Sequence, residues 1–151
     1  MIEINNTTRQ KINLARTKNI VENFLRVYKK SKKEVSLAIV GPERMRRLNN
    51  DYRGQDATTD VLSFGSERGG GKNKEKNKEE GKYLGEVIIN INETKKASKY
   101  LEVFGRKKSA EYIFYFLLVH GLLHLIGYSD EKEGERLKML NEGEKFLKEY
   151  I

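Results

Sequence analysis

Two histidines are all the chain contains, and they stand four residues apart in the run His120-Gly-Leu-Leu-His-Leu-Ile-Gly-Tyr-Ser-Asp130. On a helix that spacing puts both imidazoles on one face about one turn apart, so both can reach a single ion at about 2.0–2.1 Å. Gly127 then lets the backbone turn sharply, and Asp130, three residues further on, can fold back toward the same ion. There is no cysteine, so a metal must be held by nitrogen and oxygen alone. Two histidines and one carboxylate form a known catalytic zinc set, and one divalent ion, zinc in the first instance, is the expected cofactor. Such an ion with an open position can lower the pKa of bound water to about 7 or polarise a phosphoryl oxygen.

Each of these residues also has a plainer reading. Histidines on a buried helix can be core residues satisfied by hydrogen bonds. Asp130 lies three residues before Glu133, which is capping-box spacing, so it can equally cap a final helix. One carboxylate does not easily do both. The spacing His-x-x-x-His-x-x-Gly-x-x-ligand is that of the metzincin proteases, but their general base, a Glu after the first histidine, is replaced here by Gly121. The helix thus offers ligands without the protease's base.

The elements that must position this cluster can be read from periodicity. Val21, Phe24, Leu25 and Tyr28 predict an amphipathic helix over Thr17 to Lys30, with Thr17 as N-cap. Val35, Leu37 and Ile39 alternate in a strand from Glu34 to Val40, and Pro42 opens a short helix to about Asn50, with Met45 and Leu48 inward. Val61 to Phe64 and Tyr83 to Ile91 read as strands. Between them the segment 67–82, made only of Gly, Lys, Glu, Asn and Arg, cannot bury anything and is expected to be a mobile, solvated loop. Asn92 is expected to cap a helix that runs to Phe104 and stops at Gly105. Ser109 to Ile126 is apolar on nearly every face, as a central buried helix would be, and Leu137, Leu140 and Leu147 carry the helical period through the last segment.

At 151 residues and 17.6 kDa the chain fits one domain, residues 1–151. Its longest apolar stretch, Tyr112 to Ile126, falls short of the roughly 20 residues that span a bilayer, so a soluble, cytoplasmic protein without membrane partners is expected. The net charge of +8 favours a polyanion, yet many lysines lie beside acids, and a merely solvated surface accounts for the charge equally well.

The residues from His120 to Asp130 resemble the signature of the YbeY family, bacterial endoribonucleases implicated in ribosomal RNA maturation, which reads His-Gly-x-Leu-His-Leu-x-Gly-Tyr-Asp-His. His120, Gly121, Leu123, His124, Leu125, Gly127 and Tyr128 match; Ser129 stands in place of Asp, and Asp130 in place of the third metal histidine. Upstream, Leu48-Asn-Asn-Asp-Tyr-Arg-Gly-Gln-Asp-Ala-Thr-Thr-Asp-Val-Leu-Ser-Phe64 resembles the family's Leu-Asn-x-x-Tyr-Arg-Gly-x-Asp-x-Pro-Thr-Asp-Val-Leu-Ser-Phe, with Thr58 replacing the proline. Leu84-Gly-Glu-Val-Ile-Ile89 resembles its Leu-Gly-Asp-Ile-x-Ile strand.

The resemblance implies an α+β domain with a small mixed sheet beside helices. It further implies a metal at the three-ligand site and single-stranded RNA, ribosomal RNA in particular, as substrate. Ribosome quality control and contacts with ribosomal proteins or the small subunit belong to the same implication. The family's catalytic arginine maps onto Arg53, which would grip the phosphate. On the residues alone, Arg53 is a surface arginine in a Tyr-Arg-Gly turn. Three rivals remain open at this point: a non-catalytic RNA- or ribosome-binding protein with a structural metal, a metallohydrolase of another substrate, and a purely structural bundle.

Overall fold

The alternation in Val35, Leu37 and Ile39 builds the middle of a four-stranded mixed sheet. In the computed structural model, which describes residues 1–66 and 82–151, the strands are β1 (Ile2–Asn6), β2 (Glu34–Val40), β3 (Val61–Gly65) and β4 (Tyr83–Asn90). Their order is β1-β2-β4-β3; β2 runs parallel to both β1 and β4, and β3 runs antiparallel to β4 with Val61 opposite Ile89 and Gly65 opposite Gly85. The expected loop at 67–82 lies outside the described residues except for Lys82.

Because side chains alternate along a strand, the sheet has two apolar faces. Val35, Leu37, Ile39, Val87 and Ile89 pack with α1 (Leu14–Val27), α4 (Ala110–Leu125) and α5 (Glu133–Tyr150) in the main core. Val40, Leu62 and Ile88, with Ala38 and Phe64, face α2 (Pro42–Arg53), which contributes Met45 and Leu48. The result is a small α+β domain, as the resemblance implied. Among the described residues no helix is long and apolar enough to cross a membrane.

Local chemistry moved several boundaries. Helix α1 starts at Leu14 because the Asn13 side chain accepts from the Arg16 amide at 2.9 Å; Thr17, expected as the cap, is buried inside the helix with its hydroxyl on the Asn13 carbonyl at 2.7 Å. Helix α2 continues to Arg53 and ends where Gly54 takes a left-handed φ of 68°. Strand β1 was not anticipated: two isoleucines in a polar segment make a weak signal, and pairing with β2 supplies the rest.

The continuous helix expected from Asn92 to Phe104 is instead a 3₁₀ turn at Ile91–Lys95, a second at Ala97–Tyr100 and a one-turn α3 at Leu101–Phe104, closed by Gly105 as expected. Buried polar groups explain the break. Asn90 caps the first turn through the Asn92 amide, Thr94 bonds the Ile91 carbonyl at 2.6 Å, and the nearly buried Glu93 carboxylate takes Lys96 and Lys99 at 2.7 Å each. Side chains that bond nearby backbone in this way compete with an α-helical ladder. In α5, Met139, Gly143, Phe146 and Leu147 are buried, whereas Leu137 is 56% exposed, so the inward face is rotated from the expected one.

Candidate metal centre

Helix α4 carries both histidines near its C-terminal end. Ser109 caps its start by accepting from the Tyr112 amide at 3.1 Å, and from Ile113 to Val119 every side chain is buried. Its approach to the sheet depends on Gly121. A Cβ there would lie 2.6 Å from Val87 Cγ1, and the Gly121 carbonyl accepts from Ser63 of β3 at 3.0 Å. The position that holds a general base in metzincins is therefore turned into the sheet, with no room for a side chain.

At the end of α4 the chain reverses at Gly127, whose φ of 107° is open to glycine and strained for other residues. The Tyr128 carbonyl comes back over His124 and accepts from Nδ1 at 3.1 Å. That bond places the proton on Nδ1 and leaves Nε2 of His124 as a free lone pair, the tautomer a metal requires. Asp130 follows, with its Oδ2 3.3 Å from His124 Nε2 and 3.7 Å from His120 Nε2.

One ligand atom from each of His120, His124 and Asp130 falls within 4.8 Å of the others. Ligands at about 2.0–2.1 Å around a tetrahedral ion sit roughly 3.3–3.4 Å apart, so the separations of 3.3 and 3.7 Å fit one ion with little movement. The donor set of two nitrogens and one oxygen suits a divalent cation. Asp130 does not cap the last helix: α5 begins at Glu133 after Lys132, and among the described residues no side chain caps it. The carboxylate is free for the cluster.

Burial is the main influence holding the His120 pKa below its ordinary value; the nearby His124 adds to it, and Asp130 and Asp60 oppose it in part. A neutral imidazole near neutral pH is the form that binds metal. Among the described residues the Nδ1 atom of His120 is buried without a partner.

The upstream motif is built around the same region. Asp60 receives the Val61 amide at 2.8 Å and the Tyr100 hydroxyl at 3.0 Å, which fix it where its charge reaches His120. Asp60 and Ser63 were not singled out from sequence, although both lie in the Thr-Thr-Asp-Val-Leu-Ser-Phe run. Thr58, in place of the family's proline, donates to the Pro42 carbonyl at 3.0 Å and accepts from the buried Asn90 amide at 3.1 Å, so hydrogen bonds fasten the loop. Arg53 sits exposed in the last turn of α2, and among the described residues its guanidinium makes no ion pair or hydrogen bond. The structure brings His120, His124 and Asp130 together; Arg53 makes no hydrogen bond or ion pair with them.

Comparison with known proteins gives the family. The family model described as "Endoribonuclease YbeY" matches residues 3–151. The Endoribonuclease YbeY of Geobacillus thermodenitrificans is 42% identical over 116 residues, which cover 76% of this chain and 70% of the relative. The protein of the same name from Geobacillus sp. WCH70 is 36% identical over 139 residues, 87% of this chain and 85% of its own length. The solution structure of TM1509 from Thermotoga maritima shares the fold with a TM-score of 0.59 at 22% identity, covering 99% of this chain and 89% of that one. A match spanning nearly the whole sequence, together with relatives above one-third identity, shows that the chain belongs to the YbeY endoribonuclease family.

Proposed function

We propose that this protein is a metal-dependent endoribonuclease that cuts single-stranded RNA during ribosomal RNA maturation and ribosome quality control, working in the cytoplasm with ribosomal components as partners. The observation that carries the reading is the convergence of His120, His124 and Asp130, in a chain whose whole length resembles endoribonucleases. His120 Nε2, His124 Nε2 and one Asp130 oxygen would hold the ion, with zinc the first candidate for this donor set. When bound, the ion supplies a Lewis acid that can activate a water or polarise a phosphoryl oxygen.

The chain's own residues do the rest. The Tyr128 carbonyl orients the His124 ring through Nδ1, and burial keeps His120 neutral. Arg53, always charged and without an ion pair or hydrogen bond among the described residues, grips two phosphate oxygens at once and stabilises the charge that builds on the phosphate as the bond breaks. A carboxylate in place of the family's third histidine lowers the net charge of the loaded site by one and turns it toward harder metals.

Metal content by elemental analysis, read beside cleavage of a single-stranded RNA, tests the assignment. Native protein should carry about one divalent ion per chain. Asp130→Ala should lose both metal and cleavage, while Arg53→Ala should keep the metal and lose about 10²–10³ in cleavage rate, as removal of one charge-stabilising donor does elsewhere. Native protein without stoichiometric metal, or an Asp130→Ala variant unaltered in both respects, sinks it.

A further inference from the structure

Tyr52 occupies an unusual position for a large aromatic. Among the described residues it is the one exposed aromatic, with 68% of its surface in water. Helical spacing aligns it with Met45, Leu48 and Asn49, the face that α2 turns toward the sheet. At the end of α2, however, Tyr52 has little beneath it except Phe64 of β3, whose ring lies 5.1 Å away at 52°. One side of the phenol is braced and the rest is open. Leaving this much aromatic surface in water forgoes burial that a smaller or polar residue would not need.

Two further features say what the open ring meets. The next residue is Arg53, whose guanidinium makes no ion pair or hydrogen bond among the described residues, and α2 as a whole carries four arginines against two acids, with Arg46 alone ion-paired, to Asp56. Phe64 adjoins Ser63, which holds the carbonyl of Gly121 beside His120. The ring therefore stands across one edge strand of the sheet from the histidine cluster, beside the arginines of α2. A ligand that touches both must be a polyanion with flat apolar faces. A single strand of nucleic acid is that ligand, since its phosphates take the arginines and its unpaired bases stack on an aromatic ring.

We propose that Tyr52 is the stacking platform for one base of the RNA strand, a specificity-determining residue that holds unpaired RNA in the site. A base inside a duplex is already stacked on both faces and cannot lie on this ring, so the contact selects against double strands. The proposal rests on the endoribonuclease reading and adds to it a binding residue outside the metal cluster.

The chain has no tryptophan, so Tyr52→Trp creates a single reporter. On rapid mixing of metal-loaded Tyr52→Trp with a short single-stranded oligoribonucleotide, its emission should be quenched; the same sequence in duplex form, or as an abasic strand, should quench little. Tyr52→Ala should raise KM for single-stranded RNA by about 5- to 150-fold with kcat and metal content retained, and Tyr52→Phe should behave as native. Unquenched emission while the anisotropy of a labelled oligomer reports saturation, or an unchanged KM in Tyr52→Ala, overturns the stacking role and leaves the endoribonuclease reading standing. Failure of the native chain to bind or cut any RNA overturns both.

Discussion

Gly121 and Gly143 are both buried glycines in helices, and their surroundings give substitution opposite signs. At Gly121 an added methyl would meet Val87 at 2.6 Å and Ser63 Oγ at 3.1 Å, so α4 would have to lift from the sheet. Gly121→Ala is expected to lose roughly 1–3 kcal/mol of stability, as overpacked cores do. At Gly143 the nearest atoms, on Phe116, Leu123 and Val119, lie at 3.7–4.0 Å, which is ordinary contact. Gly143→Ala should therefore gain about 0.5–1 kcal/mol from the lower backbone entropy of the unfolded chain. Denaturant midpoints of the two variants, with unchanged slope, check both signs. The histidine spacing was legible because it needs only helical geometry. Whether Asp130 serves the cluster or the helix was not legible, because both readings use the same carboxylate and only the path of residues 127–133 separates them.

Elements with a strong local signal start where they were read. Ser109 and the apolar run after it define α4, and Pro42 opens α2, which runs past the expected end at Asn50 to Arg53 and stops at Gly54. Ser109→Ala should cost about 1 kcal/mol in thermal or denaturant unfolding, and Ser109→Asp should restore most of it, since the cap needs an oxygen for the Tyr112 amide and the helix dipole favours a negative charge there. Where buried polar groups set the backbone, periodicity misled. The stretch from Ile91 to Phe104 has a helical look, yet Asn90, Glu93 and Thr94 are buried and must find partners, which they do by tightening the chain into 3₁₀ turns. The sequence shows three polar residues there; their burial is a property of the packed molecule.

Taken whole, the molecule ties its basic surface to its core through Glu93. Desolvation tends to raise the pKa of this carboxyl, but hydrogen bonds from Lys96 and Lys99 and their charges outweigh it and hold the value below the ordinary one. With the folded pKa depressed, the contribution to stability is present above the unfolded value of about 4.3 and is lost as pH falls through the lower, folded value. Glu93→Gln should therefore cost about 1–2 kcal/mol at neutral pH, a figure reduced by the half-exposed lysine ends, and should flatten the acid side of the stability profile below about pH 4.5. Unfolding midpoints measured between pH 3 and 7 would show it; parallel profiles for native and variant protein would remove Glu93 from the account. A metal at the proposed cluster would act on the whole fold too. An ion held by the native cluster at about 100 times its Kd adds roughly 2.7 kcal/mol, so the melting temperature should rise with zinc in native protein and stay flat in Asp130→Ala.

By itself the sequence determined the candidate ligand types, the spacing of His120 and His124, the family motifs around Arg53 and the sign of the net charge, because each is a matter of residue identity and local geometry. The tertiary structure decided what depends on neighbours distant along the chain. It released Asp130 from the helix cap and turned Gly121 into the sheet, and it placed β1 on the edge of β2. It also left Tyr52 braced on Phe64 with its ring in water. Close packing and the need to satisfy buried polar groups act between segments that the sequence keeps apart, which is why those four outcomes appear only once the chain is folded.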